Sequence, residues 1–264
     1  GILLIQKEEY KKAEQMLHVA LKIAQEQQNN DGITYIYDVL ANLAFEQRDY
    51  KKAEKLFVTV MQRLVSQGVP QTDNRIVHMS LKLANMYKAD NNNSKAEDGY
   101  KFCIDTLNNK IEKGADDEDT SLLYGMSLDC YAKLLVDSNR LKEAFECFKK
   151  AYDLNVKING EVHEETVVLL NDLGTVCIVQ NDFDSAMSYL MKAVDIGEKL
   201  PDMKDFGLVI ANLVALYIKK GMYEEAKDFC NKAKQNATKH NNNEVLKEIS
   251  HFMDEIKKLE TATL

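Results

Sequence analysis

Tyr50-Lys51-Lys52-Ala53-Glu54-Lys55-Leu56-Phe57-Val58-Thr59-Val60 is the stretch that decides the fold. Ala53, Phe57 and Val60 stand at offsets of zero, four and seven, which places all three on one face of an α-helix. The pattern of an Ala, a large residue four later and a small or β-branched residue seven later recurs along the chain. It is found at Ala13-Leu17-Ala20, Ala96-Tyr100-Cys103, Ala144-Phe148-Ala151, Ala186-Leu190-Ala193 and Ala226-Cys230-Ala233. The leading Ala returns after 40, 43, 48, 42 and 40 residues. Three residues before it comes an aromatic residue or leucine (Tyr10, Tyr50, Leu141, Phe183, Tyr223), with Asn93 as the exception. Upstream of each later Ala a second helix carries its own packing pair: Leu40-Ala41, Leu83-Ala84, Tyr131-Ala132, Leu173-Gly174 and Leu213-Val214.

Two antiparallel helices joined by a short turn need small residues where their backbones approach. Larger residues of neighbouring pairs then fill the space on either side. One pair cannot bury its own apolar face, but a stack can. In its small, large and aromatic positions the pattern resembles the tetratricopeptide repeat. It departs in three respects: no Trp stands at the first position, Val214 replaces a small residue, and the period is longer than 34. Longer helices, like those of kinesin light chains, accommodate that period. The expected fold is all-α, a right-handed α-solenoid of tetratricopeptide-type helical hairpins with a C-terminal capping helix.

The helices are expected at residues 1–7 and 9–28, then in pairs over 32–67, 72–113, 119–158, 163–199 and 203–240, with a last helix at 244–260. The repeat array would span residues 1–242, about five and a half repeats with the first truncated, and the cap and tail residues 243–264. Val245, Ile249, Phe252, Ile256 and Leu259 form one apolar stripe on the last helix, suited to closing the end of a stack. The longest interval between helices holds Gly114-Ala115-Asp116-Asp117-Glu118-Asp119, read as a solvated, mobile acidic linker. The opening Gly1-Ile2-Leu3-Leu4-Ile5-Gln6 reads as the tail of a helix already under way, so the natural N-terminus is expected to lie upstream.

Composition narrows the function. Hydrophobic residues make up 45% of the 264, enough for a continuous core, and there are only 2 Pro to interrupt helices. A net charge of −8 disfavours nucleic acid, which needs a basic face against its phosphates, and an anionic membrane surface as well. It favours partners with a basic segment. No run of about 20 apolar residues is long enough to span a bilayer. Cys103, Cys130, Cys147, Cys177 and Cys230 are odd in number, contain no C-x-x-C pair and fall where helices pack, so they read as buried reduced thiols. His163-Glu164 opens like a zinc-protease helix, but Val167 occupies the second ligand position. No phosphate-binding glycine loop and no nucleophile elbow occurs. The expectation is therefore a protein without catalytic, metal-binding or cofactor-binding residues and without a small-molecule substrate.

A binding surface is the better candidate. The first helix of each pair would line an inner groove. By register with the packing pairs, the groove residues are Tyr35, Asp38, Asn42, His78, Asn85, Asp129, Lys133, Asn171 and Thr175. Asn side chains there can both donate to and accept from an extended peptide backbone. Substituting Asn42 or Asn85 should therefore weaken a partner and leave thermal stability unchanged. The last two pairs present Val168, Ile178, Leu208, Ala211, Ala215 and Ile218, an apolar patch to be covered by a partner or by the chain's own C-terminus. Asp38 and Asp129 stand where a carboxylate-clamping groove would place cations, so a chaperone C-terminus is disfavoured as ligand.

Several stretches exceed the generic repeat. Ile33-Thr34-Tyr35-Ile36-Tyr37-Asp38 leads into Leu40-Ala41-Asn42-Leu43-Ala44-Phe45, and Ser80-Leu81-Lys82-Leu83-Ala84 into Gly99-Tyr100-Lys101-Phe102-Cys103-Ile104. Gly160-Glu161-Val162-His163 is followed by Thr166-Val167-Val168-Leu169 and Asp172-Leu173. Together they resemble the tetratricopeptide repeat protein 19 family of mitochondria, over nearly the whole chain. The resemblance implies a mitochondrial, inner-membrane-associated factor. Such a factor binds respiratory complex III (the cytochrome bc1 complex, including its Rieske subunit) and supports its maturation by allowing Rieske iron–sulfur fragments to be cleared. Its targeting and membrane segments would lie upstream, outside these residues. The alternative is a cytosolic adaptor of kinesin-light-chain type. The register itself is testable by overpacking: Ala53→Leu or Ala144→Leu should cost about 1–3 kcal/mol, read as a lowered melting temperature.

Overall fold

A computed structural model describes residues 9–263, of which 262 and 263 by their backbone alone. The helix end expected at 1–7 and the final Leu264 lie outside the described residues. Twelve α-helices and no strand occur among the described residues. They are α1 (Tyr10–Glu26), α2 (Asn30–Glu46), α3 (Tyr50–Ser66), α4 (Asn74–Ala89), α5 (Asn93–Glu112), α6 (Glu118–Asp137), α7 (Leu141–Asn159), α8 (Glu164–Val179), α9 (Phe183–Gly197), α10 (Phe206–Lys219), α11 (Tyr223–Lys239) and α12 (Asn243–Thr263). The chain forms two compact units that meet in sequence between Leu134 and Leu135, inside α6. In the first, α2 packs on α1 and α3, and α4 on α3 and α5; in the second, α8 packs on α7 and α9, and α11 on α10 and α12.

The periodic residues behave as the helical offsets demand. Ala13, Ala53, Ala96, Ala144, Ala186 and Ala226 are each 0% exposed. The residues four further on are buried as well, and seven further on only Ala20 is less than fully buried. The crossings leave no room for a larger atom. A Cβ on Gly99 would stand 2.8 Å from that of Ala84, and one on Gly174 would stand 2.8 Å from Leu190 Cγ. The register that sets Gly174 against Leu190 sets Val214 against Cys230. Both are fully buried, so the larger residue on α10 is matched by a smaller one on α11. The last pair thus keeps the summed volume of a crossing while exchanging its sides. On α12, Val245, Ile249 and Ile256 are buried in the core that α10 and α11 supply.

One turn recurs throughout. Gln28, Arg48 and Asn91 in the first unit, and Asn139, Asn181, Gly221 and Asn241 in the second, all have φ between 54° and 74°. The next residue's N–H returns to the carbonyl five back: Asp49 to Ala44 at 2.9 Å, Asn92 to Tyr87 at 2.8 Å, Asp182 to Cys177 at 2.9 Å, Met222 to Tyr217 at 2.9 Å. This left-handed closure satisfies carbonyls that a helix end leaves open. In most cases the same residue then caps the following helix: the side chains of Asn29, Asp49, Asn92, Asp182 and Asn242 each accept an N–H three residues on. The acidic stretch before α6 is exposed, as a solvated linker would be, and is also used in the same way. The Asp117 carboxylate accepts the Thr120 N–H at 2.8 Å, and Glu118 and Asp119 lie in the first turn of α6, where helix dipole and unpaired N–H groups favour negative charge. Because a side chain in the left-handed region costs about 1–2 kcal/mol, Arg48→Gly should raise stability by about 1 kcal/mol and Gly221→Ala should lower it by a similar amount, both measurable by urea unfolding.

Candidate binding surface

The first helix of each hairpin carries the candidate residues. In the first unit, α2 presents Tyr35, Asp38 and Asn42, α4 presents His78 and Asn85, and α6 presents Asp129 and Lys133. Lys82 of α4, absent from the sequence-derived set, joins two of these helices. Its Nζ donates to both carboxylate oxygens of Asp38, at 2.9 and 3.2 Å. Asn42 Nδ2 donates to the Asp38 carbonyl at 2.8 Å and to its carboxylate at 3.1 Å. Asp38, Asn42 and Lys82 therefore form one bridged group, with His78 beside it. Desolvation by the helix surface draws the His78 pKa below the usual histidine value; the Lys82 ammonium adds to this and the Asp38 carboxylate opposes it. On α6, Lys133 Nζ lies 2.8 Å from Asp129 Oδ2.

In the second unit the same two register positions meet across α8 and α10. Asn212 Nδ2 donates to Asn171 Oδ1 at 2.8 Å, where Lys82 and Asp38 met in the first. Thr175 Oγ1 donates back to the Asn171 carbonyl at 2.9 Å. Of the apolar patch, Val168, Ile178 and Ile218 are half-buried against the core and Ala215 is half-buried, while Leu208 remains 41% exposed. Ala211 departs from the expectation: it is buried in the core and presents nothing.

The register also exposes a residue that inspection of polar side chains passed over. Tyr35 is 57% exposed and Met126 is 51% exposed. Each stands six residues before its packing alanine, Ala41 or Ala132, and exposed His78 stands six before Ala84. Counting back from every packing pair, rather than looking for polar groups, would have found Met126.

Asn85 has a structural task as well. It accepts the phenolic hydrogen of Tyr100 at 2.7 Å, and the Tyr100 side chain is wholly buried. The expectation that its replacement leaves stability unchanged is therefore corrected. The five thiols are free, and burial pushes each above its usual value, Cys103 to about 12 and Cys230 to about 11, so they stay protonated and unreactive at neutral pH. No helix among the described residues is long and apolar enough to cross a membrane. Asn85→Ala, which removes one hydrogen bond of a buried hydroxyl, should cost about 1 kcal/mol in thermal unfolding, whereas Asn42→Ala should change the melting temperature little.

Known proteins share this architecture. Tetratricopeptide repeat family models match residues 123–199 and 209–240. Among solved structures, BtubC (BKLC) from P. vanneervenii superposes with a TM-score of 0.72 at 20% identity, over 89% of this chain and 92% of that one. A Podosopora anserina putative kinesin light chain with nearly identical TPR-like repeats gives 0.63 at 14% identity, over 78% and 94%. At such identities the likeness concerns the fold alone, an all-α helical repeat. The sequence relatives are nearer. The Drosophila melanogaster tetratricopeptide repeat protein 19 homolog, mitochondrial, is 35% identical over 97% of this chain and 70% of its own length. The Rattus norvegicus tetratricopeptide repeat protein 19, mitochondrial, is 40% identical over 89% and 67%. With a third relative in Homo sapiens at 37% over 97% of the chain, the chain belongs to the tetratricopeptide repeat protein 19 family.

Proposed function

We propose that the chain works in mitochondria, associated with the inner membrane, as a non-catalytic scaffold that binds respiratory complex III. There it supports maturation and integrity of the cytochrome bc1 complex by allowing fragments of the Rieske iron–sulfur subunit to be cleared. The observation that carries the reading is family kinship over nearly the whole chain with relatives that are mitochondrial by name. In this reading membrane attachment belongs to a segment outside these residues, and the repeats supply recognition alone.

The geometry supports a passive mechanism. The helices are fixed by small-residue crossings and capped turns, so the candidate face reaches its partner already formed. Less conformational entropy is then lost on binding than a flexible segment would lose. The surfaces we assign are, in the first unit, the face carrying Tyr35, Asp38, Asn42, His78, Asp129 and Lys133 and, in the second unit taken by itself, the one carrying Asn171 and Thr175. Asn85 contributes by holding Tyr100 beneath it.

Full-length tagged protein, purified from detergent-solubilised mitochondria and read by mass spectrometry, is expected to bring down cytochrome bc1 subunits, the Rieske protein among them. Recovery of motor or other cytosolic proteins with bc1 absent would replace this reading by the adaptor of kinesin-light-chain type.

A further inference from the structure

Successive second helices leave a groove between them, and the protein closes such grooves in two ways. The first is a tyrosine from the intervening first helix, three residues after its packing pair. On α4 this is Tyr87, whose hydroxyl donates to Glu54 of α3 and whose ring lies under Lys95 of α5, 4.7 Å from Nζ to centroid. On α10 it is Tyr217, whose hydroxyl reaches Met191 of α9 at 3.4 Å and whose ring stacks on Phe229 of α11, centroids 5.5 Å apart. The second is an ion pair between the residue before one repeat alanine and the residue after the preceding one. Lys52 meets Glu14 in this way, and Lys95 meets Glu54 at 3.6 Å.

The groove between α7 and α9, within the second unit, has neither. Cys177 of α8 stands where Tyr87 and Tyr217 stand, and Ser185 and Phe145 occupy the ion-pair positions. An open cleft of about 440 Å³ results. Buried Cys177 lies at its base, and Phe145 and Tyr189 line it edge to face, centroids 6.0 Å apart. Three carboxylates, Glu143, Glu146 and Asp182, stand around it against the single ammonium of Lys142. Glu143 is held by Arg140 at 2.6 Å and Asp182 accepts the Ser185 N–H, whereas Glu146 is exposed at the rim. Apolar base, aromatic walls and an excess of acceptors complement a ring that carries a polar hydrogen. The protein's own phenols show the pairing: Tyr87 donates to Glu54, and Tyr131 to Glu97 at 2.9 Å.

We propose that the cleft between α7 and α9 receives a tyrosine or tryptophan side chain of a protein partner. Its ring takes the place that Tyr87 and Tyr217 fill in other hairpins, and its O–H or N–H donates to Glu146. This goes beyond the scaffold reading by adding a contact surface on second helices to the first-helix faces assigned above.

The test uses the full-length protein and the probe acetyl-Gly-(5-fluorotryptophan)-Gly-amide, followed by fluorine NMR. The resonance should shift saturably with the wild type. It should return on addition of 3-methylindole or p-cresol, but not of acetyl-leucine amide. Cys177→Tyr, which rebuilds the ring of the other hairpins, should abolish the shift without lowering the melting temperature. Ser185→Lys, which sets a cation where Lys95 stands, should weaken binding about fivefold, and it decides alone if Cys177→Tyr fails to fold. No saturable shift with the wild type, displacement by acetyl-leucine amide as ready as by 3-methylindole, or a shift unaltered by the substitutions overturns the proposal. Recovery of bc1 without probe binding removes only this inference; probe binding without bc1 removes only the complex III reading.

Discussion

Two helix backbones can approach closely only where at least one side chain is nearly absent, and everything else in this protein depends on that constraint. Ala84 against Gly99 and Gly174 against Leu190 leave no space for a further methyl group. Because the approach is close, the neighbouring large residues, Phe57, Tyr100, Phe148 and Leu190, reach across and bury completely. Because they bury completely, their registers are locked, and with them the orientation of every side chain on the opposite flank. The surface available to a partner is thus fixed by contacts on the other side of the same helices. Val214 against Cys230 shows that the constraint acts on the crossing as a whole rather than on either residue alone.

The polar bridges between first helices are a second tier resting on the first. Asp38 with Lys82 and Asn171 with Asn212 join equivalent positions of successive helices, one pair charged and the other neutral. Part-exposed contacts of this kind contribute little to stability. Their larger effect is to decide which charges remain for recognition, since a lysine held by its neighbour no longer offers its charge to a ligand.

The fold was largely legible because offsets of four and seven are a geometric property of helices, and six alanines repeated them. The cap helix was legible for the same reason, through Val245, Ile249 and Ile256. The site was less so. Asp38 and Asn42 could be placed on a face by counting, but their link to Lys82 joins residues 44 apart and depends on how two helices lie side by side. Asn85 looked like a groove residue by register, yet its side chain turns to Tyr100, and a rotamer choice leaves no trace in periodicity. The acids at 116–119 read as a solvated run and are exposed, but composition alone does not show that Asp117 also caps α6. Met126 was overlooked because an apolar side chain within an amphipathic helix is ordinarily taken as core.

The turns and the longer connections divide a labour between them. Within a hairpin the three-residue turn is stereochemically closed, each of its residues engaged in a cap or a left-handed bend, so an added residue would undo the whole motif. Past the closure at Gly68, where the Val69 N–H returns to the Leu64 carbonyl, the stretches at residues 70–73 and 198–205 carry none. Lengthening one costs only chain entropy, about 0.6 kcal/mol for each doubling. Changes in length between related proteins can therefore accumulate at these links while hairpin geometry is inherited unaltered, which makes the hairpin the heritable unit and the spacing between hairpins the freely drifting trait.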